Sequence, residues 1–323
     1  MLHLVTGGAG FLGAHLTNAL VDDGHSVIIA DNFSTGHVRN LEYAISTGRA
    51  TLVYVDVAQP YADLCHILAD AVKTRIERIY HLASPASPKA YGEHPWETLQ
   101  VNAIGTMALI DLALEHEARF LFASTSEIYG DPLVHPQPES YFGNVDPIGP
   151  RSCYDEGKRF GEAAVATAVR TRQLDGRVVR FFNCYGPAMD ESDGRLVPEL
   201  FHAAEAGLPL PIHGTGKQTR SMTYVDDAMV MLRAVMDRTQ PELQPVNIGS
   251  DEELTVEEIA RVVARVCGVA FETQYLPARE GDPQMRKPDL TRIRSYGVPP
   301  PTTLEEGLRA TYRWLRDERR AFA

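Results

Sequence analysis

The opening of the chain constrains its fold most. A short apolar strand, Leu2–Thr6, runs directly into Gly7-Gly8-Ala9-Gly10-Phe11-Leu12-Gly13, and an amphipathic helix pattern continues to about Asp23. Glycines at this spacing have separate tasks: Gly7 makes a tight turn, Gly10 admits a pyrophosphate close to the backbone, and Gly13 lets helix and strand pack closely. The pyrophosphate then rests on the helix N-terminus, where unpaired N–H groups and the helix dipole favour an anion. The strand–turn–helix context gives the triplet its meaning. Gly7, Gly10, Phe11, Leu12 and Gly13 are thus expected to face a dinucleotide. A second strand, Ser26–Ala30, ends in Asp31-Asn32. A carboxylate there can accept hydrogen bonds from an adenosine ribose and repels a 2′-phosphate, so NAD is expected in preference to NADP.

The alternation continues. Strand Thr51–Val55 ends in Asp56-Val57, suitably placed for an adenine edge; a helix from Tyr61 to about Lys73 leads to strand Arg78–Leu82 and the proline-broken loop Ala83-Ser84-Pro85-Ala86-Ser87-Pro88. A long helix from about Pro95 to Glu115 carries Asn102, and strand Arg119–Ala123 follows. Leu82, Ala83, Ser84 and Asn102 complete the expected cofactor wall. Repeated βα units of this kind predict an α/β fold, a doubly wound parallel sheet with ligands beyond the strands' carboxyl ends.

At one such end lies Ser124-Thr125-Ser126-Glu127, about thirty residues before Tyr154-Asp155-Glu156-Gly157-Lys158. Residues four apart share a helix face, so Tyr154 and Lys158 project together. An ammonium near a phenol favours the phenolate, and a phenol so tuned can take a proton from a sugar hydroxyl near neutrality. Thr125 can hydrogen-bond the same hydroxyl. The Tyr154 helix is expected to reach about Arg172, and strand Val178–Phe182 follows. After Asn183 the rhythm changes, through Asp193-Gly194-Arg195, Gly214-Thr215-Gly216-Lys217 and Arg220, before helix Val225–Met236 and strand Pro245–Ile248 return to the sheet. Thr255 and Glu258 form a capping box for a helix to Val266; Arg279-Glu280-Gly281-Asp282, Arg286 and a helix from Leu304 to Arg316 close the chain. The expected division is a dinucleotide domain of 1–183 plus about 222–250, and a smaller, discontinuous substrate domain of about 184–221 plus 251–323.

With 323 residues, the chain can bury a sizeable core, and its formal charge of −12 argues against nonspecific nucleic-acid or membrane binding, since both partners are anionic. Four cysteines without paired or metal-type spacing read as reduced thiols, no metal site is expected, and with no signal peptide a cytoplasmic location is expected.

Taken together, Gly7-x-x-Gly10-x-x-Gly13, Thr125, Tyr154-x-x-x-Lys158, Asn183, Arg220 and Arg279-x-Gly-Asp resemble the extended short-chain dehydrogenase/reductase family of nucleotide-sugar epimerases, dehydratases and decarboxylases. The resemblance covers nearly the whole chain and implies a Rossmann-type fold, tightly held NAD, transient oxidation of a sugar at C4, and a homodimer pairing helices at about 95–115 and 152–172. It makes Tyr154 the base, Thr125 its partner, Lys158 a holder of the nicotinamide ribose, Arg220 and Arg279 diphosphate ligands, and Asn183 a substrate contact. Dehydratases of the family carry Asp-Glu after the threonine; Ser126-Glu127 here removes the proton donor for a leaving hydroxyl. Ser126-Glu127, the loop from His81, the run from Asn144 to Arg159 and Gly216–Arg220 look like UDP-glucuronate decarboxylases. Phe181-Phe182 and Thr223-Tyr224-Val225-Asp226-Asp227 read like UDP-glucuronate 4-epimerases. The expectation is a uronate 4-epimerase, with a decarboxylase as the alternative and an inactive dinucleotide-sensing protein as a remote third reading. Arg195, Arg151, Ser84 and Ser126 are candidates for the uronate carboxylate, and Ser126 and Glu127 join the catalytic set.

Overall fold

Two adjacent strand residues, Leu4 and Val5, belong to different hydrophobic cores, so the first strand is covered on both faces, as a parallel sheet requires. The computed structural model describes residues 1–321 apart from 193, 242 and 280; Asp193 and Glu280 of the sequence motifs therefore lie outside the described residues. The strands form a seven-stranded sheet in the order Val246–Ile248, Gly176–Phe181, Arg119–Thr125, Arg78–His81, Leu2–Thr6, Ser26–Asp31, Ala50–Tyr54. All pairings are parallel, with Leu4 opposite Ile28 and Ile79. One core joins the sheet to helices Phe11–Asp22 and Val225–Met236, and the other joins it to Thr106–Glu115 and Ser152–Arg172. The order reverses between Leu2–Thr6 and Arg78–His81, which opens a crevice at the carboxyl ends of those strands. This is the doubly wound, Rossmann-like fold expected.

A third core lies among helices Leu196–Glu205, Val256–Cys267 and Leu304–Ala321, with Leu200, Phe201, Ile212, Ile259 and Leu308 inside. Three two-stranded sheets support this region: Cys184–Tyr185 with Thr223–Tyr224, Thr219–Ser221 with Glu253–Thr255, and Leu210–His213 with Thr273–Leu276. Strands so short carry too few residues for a period-2 pattern, and the sequence reading passed over them. The Thr255–Glu258 capping box forms as expected, and the helix ends at Gly268 in the left-handed conformation (φ 71°). The expected long helix from Pro95 is instead interrupted: Pro95–Gln100 passes through a π turn, Val101–Gly105, into Thr106–Glu115. Such turns often mark functional sites. A Cβ on Gly105 would lie 3.2 Å from the Val57 carbonyl, so the turn packs tightly on a cleft wall. A further short helix, Pro88–Glu93, capped by Ser87, was also unforeseen.

Candidate active site

The crevice is a cavity of about 580 Å³, large enough for extended ligands. At its dinucleotide end the wall is mostly backbone. Gly7 turns with φ 71°, and a Cβ there would lie 2.7 Å from both N and Cα of Ala83. A Cβ on Gly13 would lie 2.0 Å from the Gly7 carbonyl oxygen, so helix and turn touch directly. Gly10 precedes the helix Phe11–Asp22, whose first turn has no acidic side chain to compete with an incoming anion. Gly7, Gly10, Phe11, Leu12, Gly13, Asp31, Asn32, Asp56, Val57, Leu82, Ala83 and Ser84 all line the cavity. Asp31 also braces the glycine turn, since its Oδ2 accepts from Ala9 N and its Oδ1 from Phe33 N, both at 2.8 Å. Asn102 stands one layer back: fully buried in the π turn, it donates to Ser84 Oγ (3.0 Å) and Thr98 O (2.8 Å). This cradle fits NAD.

The strand Arg119–Thr125 ends at Thr125, beside the first turn of the helix Ser152–Arg172, and this brings Thr125, Tyr154 and Lys158 together. Tyr154 is buried, with Tyr91 stacked on it at 5.1 Å and 13°. Lys158 Nζ donates to Ala123 O at 2.8 Å and lies 5.8 Å from the Tyr154 ring centre. The expected lowering of the phenol pKa by this ammonium is not found, and that is a correction. Burial pushes the phenol up; Thr125 pulls it down, Glu127 and Asp155 raise it further, and Arg195 lowers it. Burial also brings Lys158 down to about 7.

Glu127 is caged. Arg286 donates to both its oxygens at 2.6 and 2.8 Å, and Arg151 donates to Oε2 at 2.5 Å. Burial raises this carboxyl, but Arg286 and Arg151 more than offset it and hold it below the usual range. The two arginines thus hold it as a fixed anion. Ser126 is buried on the cleft wall. Arg220 pairs with Asp282 at 2.6 Å, and burial lowers its pKa to about 10. Arg279 pairs with Glu199 at 2.8 Å and donates to Gly194 O at 2.7 Å. Arg195 lies over the Phe11 ring at 5.7 Å. Asn183 lines the cavity, and its side-chain oxygen is buried without a partner, available to a ligand.

Sequence reasoning passed over Arg286, Asp282 and Tyr91 as site residues. Arg286 is 159 residues from Glu127, and no local pattern reports a pairing over that distance. Among the described residues no cluster of side chains could hold a metal, and no helix is long and apolar enough to cross a membrane. The four cysteines are free thiols.

Residues 3–249 match the NAD dependent epimerase/dehydratase family. The chain belongs to that family. It uses NAD. Over 316 residues it is 43% identical to UDP-glucuronic acid decarboxylase 1 of Xenopus tropicalis, covering 98% of this chain and 72% of the relative. Identity to UDP-glucuronic acid decarboxylase 1 of Arabidopsis thaliana is 42% over 306 residues, covering 94% of this chain and 67% of the relative. Among solved structures, the UDP-glucose 4-epimerase of Thermotoga maritima superposes with a TM-score of 0.89 at 29% identity, covering 98% of this chain and 99% of that one. The UDP-glucuronic acid 4-epimerase of Bacillus cereus, solved with a fluorinated UDP-glucuronic acid and NAD, gives 0.86 at 25% identity, covering 98% and 100%.

Proposed function

We propose that this enzyme is a UDP-glucuronate decarboxylase, which reverses the order of the two readings expected from sequence. The observation that carries the reading is the 43% identity to a UDP-glucuronic acid decarboxylase over 98% of this chain, against 25% to a uronate 4-epimerase. Ser126 and Glu127, the pair that resembles the decarboxylases in sequence, line the same cleft as Tyr154.

Bound in the glycine-lined cradle, NAD would supply a reversible hydride acceptor for C4. Tyr154 takes the proton of the 4-hydroxyl, with Thr125 hydrogen-bonded alongside. Burial opposes phenolate formation, and Thr125 and Arg195 favour it, as would the positive charge that oxidised NAD brings when bound. The resulting ketone is β to the carboxylate. The C5–C6 bond then breaks, carbon dioxide leaves, the electron pair passes to the C4 oxygen as an enolate, and C5 takes up a proton from water as the ketone re-forms. Hydride return to C4 and proton return from Tyr154 complete a UDP-pentose, UDP-xylose. Arg220 and Arg279, from the region around the third core, are suited to the diphosphate, since guanidinium forks match phosphate oxygens.

A second reading, the uronate 4-epimerase, is favoured by Arg195. Its charge lowers the Tyr154 pKa, so it stands near the reacting centre. An arginine on the uronate carboxylate would stabilise the ionised acid and retain C6 while the ring turns over. Incubation with UDP-glucuronate and NAD, followed by separation of the nucleotide sugars, distinguishes the two: a UDP-pentose supports decarboxylation, whereas a pair of UDP-hexuronates supports epimerisation.

The two-lobe division and the dimer belong to this proposal. The cores flanking the large sheet would bind NAD, and the third core would carry the nucleotide sugar. Trp96, Ile104, Met107 and Phe160 are exposed on the helices expected to pair two copies. Sedimentation as a monomer would overturn the dimer.

A further inference from the structure

A line of ion pairs runs along the cleft from the arginine expected at the diphosphate to the reacting end. Arg220 meets Asp282 at 2.6 Å, Asp282 lies 3.7 Å from Arg151, Arg151 meets Glu127 at 2.5 Å, and Arg286 grips the other side of Glu127. Arg151 is the joint. It stands immediately before the helix that carries Tyr154, and its Nη1 donates across the cleft to Gly281 O at 3.2 Å. Glu127 does not need it for hydrogen bonding, because Arg286 already reaches both carboxylate oxygens. Arg151 Nε is buried with no partner. One turn along the same helix, Asp155 Oδ1 is also buried with no partner. Side chains four apart on a helix are neighbours. A donor and an acceptor, both orphaned at that spacing, mark a second resting place for the guanidinium.

We propose that Arg151 is a two-position positioning arm that reports nucleotide binding to the reacting end. With a diphosphate on Arg220 and the Gly281–Asp282 segment held down, Arg151 rests on Glu127; with that segment released, it falls back on Asp155. The inference rests on the reading of the cleft as a site for a UDP-linked sugar. Its use is order: the charge around Tyr154 is set only once the nucleotide is in place, so NAD alone meets an incomplete reacting end.

The arm has a proton signature. The charged and titratable groups facing Asp155 are Arg151, Cys153, Tyr154 and Glu156 on its own helix, Glu127 on the turn after Thr125, Tyr91 on Pro88–Glu93, and Arg286. In the arrangement described, burial and then Glu127 raise Asp155 to about 7, against the partial offset of Arg151 and Arg286. Full pairing with Arg151 would lower it. Nucleotide binding, by taking Arg151 away, therefore raises the Asp155 pKa and draws a proton from solvent.

The test is calorimetric titration of the intact protein with UDP alone, in two buffers of different ionisation enthalpy. Wild type is expected to take up about half a proton at pH 7. Asp155→Asn should bind UDP without uptake. Arg151→Met should also lose the uptake, because Asp155 then has the same surroundings with and without UDP, and this variant stands in if Asp155→Asn fails to fold. Wild-type binding with no buffer-dependent heat, or uptake that persists in Asp155→Asn, overturns the proposal. No UDP binding at all removes the nucleotide reading and the proposal with it. The decarboxylase outcome is untouched by either result, since UDP carries no sugar to turn over.

Discussion

Where the cleft receives the dinucleotide it is made of backbone; at the reacting end it is made of paired charges. Gly7, Gly10 and Gly13 act by lacking side chains: a Cβ on any of them would meet the backbone of the turn itself or of Leu82 and Ala83. Glu127, Arg151, Arg220, Asp282 and Arg286 act through side chains drawn from distant parts of the chain. The first construction tolerates little variation in shape and leaves the chemistry to the cofactor. The second can be retuned by moving one charge, in keeping with function residing in the site and not in the fold.

This contrast can be broken by experiment, and the largest effect belongs to the reacting end. Tyr154→Phe should lower turnover by about 10²–10⁴-fold or more, while NAD and UDP still bind in direct titrations; near-normal turnover would remove the base from the mechanism. Arg286→Met leaves Glu127 to Arg151 alone, and should cost about 3 kcal/mol of stability in denaturant unfolding, along with most of the turnover. If NAD affinity falls as much as turnover, the two ends are not separable. Gly13→Ala is the converse probe. A methyl group 2.0 Å from the Gly7 oxygen must displace the turn, and overpacking of roughly 1–3 kcal/mol corresponds to a loss of about tenfold to a hundredfold in NAD affinity. UDP affinity should hold. Asp31→Ala should narrow the preference for NAD over NADP by about tenfold; an unchanged preference would leave Asp31 as a brace for the glycine turn alone.

A separate effect is electrostatic. Burial lowers Lys158 from 10.5 to about 7 in the folded, NAD-free protein. Between those values the unfolded chain holds a proton that the folded one has released, so this residue makes stability rise with pH from about 7 to about 10.5. Unfolding of the NAD-free protein across that window should show the rise, and Lys158→Met should flatten it.

The legibility of the sequence follows the same division. The glycine turn, the strand ends at Asp31 and Thr125, and the helix from Ser152 to Arg172 could be read because each is local, with its signal inside one period of strand or helix. The Glu127–Arg286 pair could not, because the partners are 159 residues apart and nothing near either names the other. The phenol of Tyr154 was misread for a related reason. The spacing to Lys158 is visible in sequence, but the burial that raises the phenol and lowers Lys158 to about 7 is a property of the packed molecule. The π turn at Val101–Gly105 escaped because its residues continue an ordinary helical pattern.

The most direct measurement follows carbon-13 placed at C6 of UDP-glucuronate by NMR, with enzyme and NAD. The account predicts that the label leaves as carbon dioxide and bicarbonate while an unlabelled UDP-pentose accumulates. Label retained in a mixture of UDP-glucuronate and UDP-galacturonate would contradict it and support the uronate 4-epimerase reading.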